Sequence, residues 1–108
     1  MSNQDVDIRE GTITFWIDKG EMKFNDNKLI PLIQRNPRNG IIFIDKDSDN
    51  KLKFSHTYIG KGTTDVEYDV SSLNPDKRHM IAVTWSLNNR EIIMYIDGKE
   101  VAKKEIDY

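Results

Sequence analysis

The chain of 108 residues contains no cysteine. Disulfides, thiol nucleophiles and cysteine-ligated zinc or iron–sulfur centres are therefore excluded. A small domain without disulfides holds together by packing, alone or against another surface. A basic excess is also missing: 16 Lys and Arg stand against 18 Asp and Glu, for a net charge of −2. Nucleic acid is then not an expected partner, because phosphate binding draws on a basic surface. No apolar run approaches the roughly 18–20 residues of a membrane-spanning helix. The opening MSNQDVDIRE has no apolar stretch of the secretory kind. Helical periodicity is absent too, since no window has three-and-four apolar spacing as its best pattern.

What the chain does have is period-two alternation broken by turn residues. The clearest stretch runs from Arg78 to Val101, RHMIAVTWSLNNREIIMYIDGKEV. It reads as a meander of three strands joined at Asn88-Asn89 and Asp97-Gly98, dipeptides that tolerate the positive φ of tight hairpins. Two-residue loops set Trp85 opposite Ile92, Val83 opposite Met94, Ile81 opposite Ile96, and Met94 opposite Val101. All these side chains share one face.

Elsewhere, Ile13, Phe15 and Ile17 alternate with Thr12, Thr14 and Trp16 in a strand that follows Gly11. DKGEMKFNDN is turn-rich, with Met22 and Phe24 candidates for a short strand. LIPLIQ carries Pro31 and reads as an edge strand or strand beginning. IIFID suits a strand buried on both faces. KLKFSHTYI places Leu52, Phe54, His56 and Tyr58 on one face. TDVEYDV turns Val66, Tyr68 and Val70 inward and Asp65, Glu67 and Asp69 outward. SSLNPDK is a connection with room for one helical turn. Roughly eight short strands at this spacing indicate an all-β antiparallel β-sandwich. The expected organisation is a loosely ordered lead-in over residues 1–10 and a single domain over 11–108.

GTITFWI, DVSSLNPDKRHMIAVTW and IIMYIDGKEV together resemble the laminin-G-like domains of the concanavalin A-like lectin/glucanase superfamily. Members carry an aromatic-Trp pair at the end of an early strand, a Trp-His-His-Val-Ala-Val-Thr-Trp-like strand and a Tyr-Val-Asp-Gly-Lys hairpin. Phe15-Trp16, His79 to Trp85 and Tyr95 to Lys99 stand at the matching places, over most of residues 11–102. The resemblance implies a concanavalin-like jelly roll, with an extracellular or cell-surface setting. Arg78 stands where members have a Trp, which removes one core anchor. Members also continue well past the Asp-Gly hairpin, so the sandwich is expected to be truncated at its C-terminal side. Uncovered edges invite association, and a homodimer by edge pairing or sheet stacking is expected ahead of a monomer.

The function expected is a non-enzymatic binding module for carbohydrate or a protein surface. The alternatives are a structural self-association domain or a fragment of a larger surface protein, with a glycoside hydrolase relative a distant third. Trp16 and Tyr95 are the candidate ligand contacts, since sugar rings stack on exposed aromatic faces; core packing is the competing role. Asp45, Asp47 and Asp49 alternate like the start of a calcium loop, but the sixth position is Asn50 rather than Gly and the twelfth is His56 rather than Glu. A plain polar hairpin tip has the same sequence, so no cofactor is required and calcium is the one candidate. Asp65, Glu67 and Asp69 could hold a cation or be an ordinary solvated face. Glu105-Ile106-Asp107 matches only the opening of the superfamily's Glu-x-Asp-x-x-Glu motif, half of what glycoside hydrolysis needs. His56 and His79 sit in strands with no catalytic motif around them.

Overall fold

Alternating β-branched, aromatic and polar residues produce eight strands: β1 (Glu10–Ile17), β2 (Ile30–Arg35), β3 (Gly40–Lys46), β4 (Lys51–Tyr58), β5 (Gly62–Asp69), β6 (His79–Ser86), β7 (Glu91–Ile96) and β8 (Lys99–Glu105). The computed structural model describes residues 6–108, and no helix occurs among them. Two four-stranded antiparallel sheets result, in the orders β1-β6-β7-β8 and β2-β3-β4-β5. The arrangement is sandwich-like. Ile81, Val83, Trp85, Ile92, Met94 and Ile96 of the first sheet and Ile42, Ile44, Leu52, Phe54 and Val66 of the second form one buried cluster.

The meander has the expected register between β6 and β7: Trp85 opposes Ile92, Val83 opposes Met94 and Ile81 opposes Ile96. The loop between them is not the two-residue turn expected at Asn88-Asn89. Leu87 and Arg90 would have to pair to close such a turn. Instead the Leu87 amide donates to the Arg9 carbonyl (2.7 Å) and the Arg90 carbonyl accepts from the Ile106 amide (2.8 Å). The positive φ falls on Arg90, at 57°. At the second turn Asp97 (φ 53°) and Gly98 (φ 83°) are both left-handed, as a two-residue hairpin requires. Beyond it the expected Met94–Val101 pairing is replaced. A bulge displaces Val101, and Met94 opposes Ala102.

Pro31 lies on an edge strand, as expected, with an irregularity between Pro31 and Ile33. Met22 and Phe24 form no strand; Phe24 is buried and meets the His79 ring edge-on at 5.6 Å. SSLNPDK makes turns without a helix. Tyr68, expected inward, shares the inward face with its partner Leu52 yet is 40% exposed. It stands on an edge strand, where one flank of the ring meets solvent.

The lead-in expectation for residues 1–5 lies outside the described residues. Residues 6–10 belong to the packed body instead. Ile8 is buried, the Asp7 carbonyl accepts from Trp85 Nε1 at 2.7 Å, and the Ile8 carbonyl accepts from His56 Nε2 at 2.8 Å. Gly40 makes room for this segment, because a Cβ there would fall 2.3 Å from Ile8 Cδ1. His56 also meets Tyr108: its Nδ1 lies 2.7 Å from the Tyr108 Oη, which is 2.9 Å from the His56 carbonyl oxygen, and the two ring planes are nearly parallel, 12° apart.

Candidate functional site

Register and alternation decide which side chains leave the core. Ile13, Phe15 and Ile17 of β1 pack inward with Ile81, Val83 and Trp85 of β6. Trp16 and Thr14 must then face outward beside Met80 and Ala82. Tyr95 lies between the buried Met94 and Ile96 and opposes Ala82, so it faces outward as well. Trp16 and Tyr95 thus share the outer face of one sheet, with β6 between them. Two strand spacings and a two-residue offset put their Cα atoms about 12 Å apart. The same face carries the hydroxyls of Thr12, Thr14 and Thr84, the small Ala82, and two larger apolar side chains, Met80 opposite Trp16 and Ile93 opposite Thr84.

Trp16 is 48% exposed. The Arg78 guanidinium lies over one ring face, 4.0 Å from the centroid, and its Nε donates to Asp18 Oδ1 at 2.9 Å. The planar cation gains from the ring's negative face, while Asp18 fixes its direction. Arg78, expected only as a lost core anchor, instead props an aromatic side chain on the surface. A ligand can stack only on the ring face that Arg78 leaves open.

At the same end of the sheet, His79 is buried between two acceptors. Its Nδ1 lies 2.7 Å from Asp97 Oδ2 and its Nε2 lies 2.8 Å from the Asn74 carbonyl. Neither the Asp97 carboxylate nor the Asn74 carbonyl can donate, so both ring nitrogens are placed as donors, an arrangement that favours the protonated ring. Burial works against that charge, but the Asp97 carboxylate and the Asn74 carbonyl outweigh it and hold the pKa above the ordinary value. Asp97 Oδ1 also accepts from the Met80 amide at 2.9 Å, which ties the hairpin turn to β6. His56 differs: burial dominates and its pKa is lowered. Both nitrogens of each histidine are committed within the chain, which leaves neither free to act as a general base.

The expected calcium residues are not assembled into a ligand set. Asp45 is on the outer face of β3, while Asp47 and Asp49 are in the turn that follows. Asp47 Oδ1 accepts from the Asp49 amide (2.9 Å) and the Lys51 amide (3.0 Å), the bonding of a capped turn. Asp49 is exposed. Among the described residues no group of three or more His, Asp or Glu side chains is placed to hold a metal ion. Asp45 Oδ1 is enclosed without a hydrogen-bond partner, and burial raises its pKa.

Asp65, Glu67 and Asp69 face outward from β5. Lys53 lies 3.8 Å from Asp65 and Lys51 lies 3.7 Å from Glu67, while Asp69 accepts from the Ser71 amide and hydroxyl. That is an ion ladder across two strands. Glu105 ends β8, and Ile106 beside it is fully buried. Sequence reasoning missed Lys46, which is completely buried at the end of β3. The available signal was its even spacing from Ile42 and Ile44, which puts it on their inward face.

No protein-family profile matches the chain, and neither the curated proteins nor the solved structures give a match to it.

Proposed function

We propose that the chain is a non-enzymatic binding module with a laminin-G-like, concanavalin-like jelly-roll architecture, and that it takes an oligosaccharide on the outer face of the β1-β6-β7-β8 sheet. The observation that carries the reading is that Trp16 and Tyr95 share that face across β6, with the hydroxyls of Thr12, Thr14 and Thr84 beside them and Met80 and Ile93 adding apolar surface. Aromatic faces supply stacking area at low entropic cost, and the threonine hydroxyls can both donate and accept. The separation of about 12 Å between the Trp16 and Tyr95 Cα atoms suits an extended glycan rather than a single sugar. The engagement of both histidines favours binding over catalysis.

Trp85 is buried, so it provides a constant background for tryptophan fluorescence. In titrations with an oligosaccharide panel, a bound glycan shifts the Trp16 emission. Trp16→Ala and Tyr95→Ala each weaken binding by at least about tenfold. A panel that leaves the emission unchanged, with binding instead to a protein surface, would remove the carbohydrate reading.

A second reading, self-association, rests on the edges of the sheets. β2 carries Pro31 and an irregularity, β5 a row of carboxylates, and β8 a bulge with Lys99, Glu100, Lys103, Lys104 and Glu105. These are the usual guards against strand pairing. β1 has none between Gly11 and Ile17, and pairs with β6 without interruption. Two copies pairing through β1 would form a continuous eight-stranded sheet. Sedimentation at micromolar concentration then gives a two-chain mass that Thr14→Lys reduces to one. A one-chain mass for the unaltered protein refutes this reading and leaves the glycan face untouched.

A further inference from the structure

β3 sends Ile42, Ile44 and Lys46 toward the interior, and all three are fully buried. The Lys46 stem continues the core beside its cross-strand partner Leu52, so the hydrocarbon part is well placed. Its ammonium needs partners, because an unpaired buried charge is strongly unfavourable. Two loops supply them. Nζ lies 2.6 Å from the Lys28 carbonyl oxygen, 2.7 Å from Asp26 Oδ1, 3.3 Å from Asn50 Oδ1 and 3.4 Å from the Asp47 carbonyl oxygen.

Every partner is an oxygen, and only one is charged. Asn27 (φ 57°) and Asn50 (φ 61°) are both left-handed, and the two lock the loops together. The Asn27 amide donates to Asn50 Oδ1 at 2.9 Å, and Asn50 Nδ2 donates to Asn27 Oδ1. The backbone is thus shaped to turn oxygens toward one point. The ammonium in turn holds the Asp26 carboxyl below the usual carboxylate range.

We propose that these oxygens form a cation-binding site whose resident ion is the chain's own ammonium. Shortening Lys46 opens the site to a monovalent cation of ammonium type. Calcium fits less well, since it takes six to eight oxygens and favours several carboxylates. Here the nearby Asp47 Oδ1 is already committed to two backbone amides. The tethered charge joins the β1–β2 loop to the β3–β4 turn, which makes that join independent of calcium.

Lys46→Ala removes Cγ through Nζ, the atoms of propylammonium. The variant is expected to lose on the order of 10 °C in Tm. Excess propylammonium then restores several degrees, whereas propanol does not, and neither raises the Tm of the unaltered protein. Equal rescue by propanol would mean an apolar cavity and overturn the proposal, as would no rescue at all. Lys46→Met keeps the stem and removes the charge; a Tm within a degree of the unaltered protein would also overturn it. Should the alanine variant not fold, the methionine variant and a calcium titration of the unaltered protein decide. An unchanged Tm in calcium and in chelator is the expected result, and a calcium-dependent rise is the contrary one.

Discussion

The guanidinium carbon of Arg78 lies 4.0 Å from the centre of the Trp16 ring, held there by a 2.9 Å hydrogen bond to Asp18. A planar cation stacked on indole does what a lysine ammonium does less well, because the flat group covers the ring and still directs a donor sideways. Arg78→Lys is therefore expected to cost about 0.5–1 kcal/mol of stability. It should also broaden the Trp16 emission as the ring gains rotamers. If glycan binding depends on a fixed indole, affinity also falls under conditions where the variant remains fully folded. Unchanged emission and affinity would mean the stack is incidental.

The His79–Asp97 pair sets a pH dependence whose sign follows from the direction of its shift. The folded imidazolium has a raised pKa. Its contribution is fully present below the unfolded value of about 6.5 and is lost as pH rises through the folded value. The urea midpoint should therefore fall on the alkaline side of 6.5. Asp97→Asn removes the carboxylate partner and is expected to flatten that limb. His56 has the opposite shift and acts only on the acid side of 6.5, so the two contributions separate. An Asp97→Asn profile parallel to that of the unaltered protein would contradict this account.

Asp45 is enclosed with one oxygen unpartnered, and burial raises its pKa. A charge held that way costs stability at neutral pH rather than adding to it. Asp45→Asn is expected to leave stability unchanged or to raise it by up to about 1 kcal/mol. Were Asp45 a calcium ligand, the same variant would lose a calcium-dependent gain in Tm. Chemical denaturation with and without calcium distinguishes the two.

The succession of strands along the chain was largely legible in the sequence because alternation and turn residues act locally. Three cross-strand pairs between β6 and β7 follow from counting alone. The β7–β8 pairing beyond the turn does not, because a bulge depends on how an edge strand twists, not on any residue that announces it. Leu87 and Arg90 fail to pair because Arg9 and Ile106, distant in sequence, claim their backbone groups. Trp16 and Tyr95 could each be placed on a face by parity, but their sharing one sheet needed the β1–β6 pairing. Lys46 was hidden for a different reason. Its charge argues for the surface, and only the convergence of two loops makes burial tolerable.

His56 and Tyr108 have one more property. The single phenolic proton lies within reach of two acceptors, His56 Nδ1 at 2.7 Å and the His56 carbonyl at 2.9 Å. With a neutral ring the hydroxyl donates to Nδ1. When the ring takes up a proton, Nδ1 donates to the phenolic oxygen and the hydroxyl swivels to the carbonyl. The grip on the Ile8 carbonyl persists through both states, because Nε2 keeps its proton throughout. Acid therefore charges the ring without unfastening it, like a latch that turns in its keeper but does not lift.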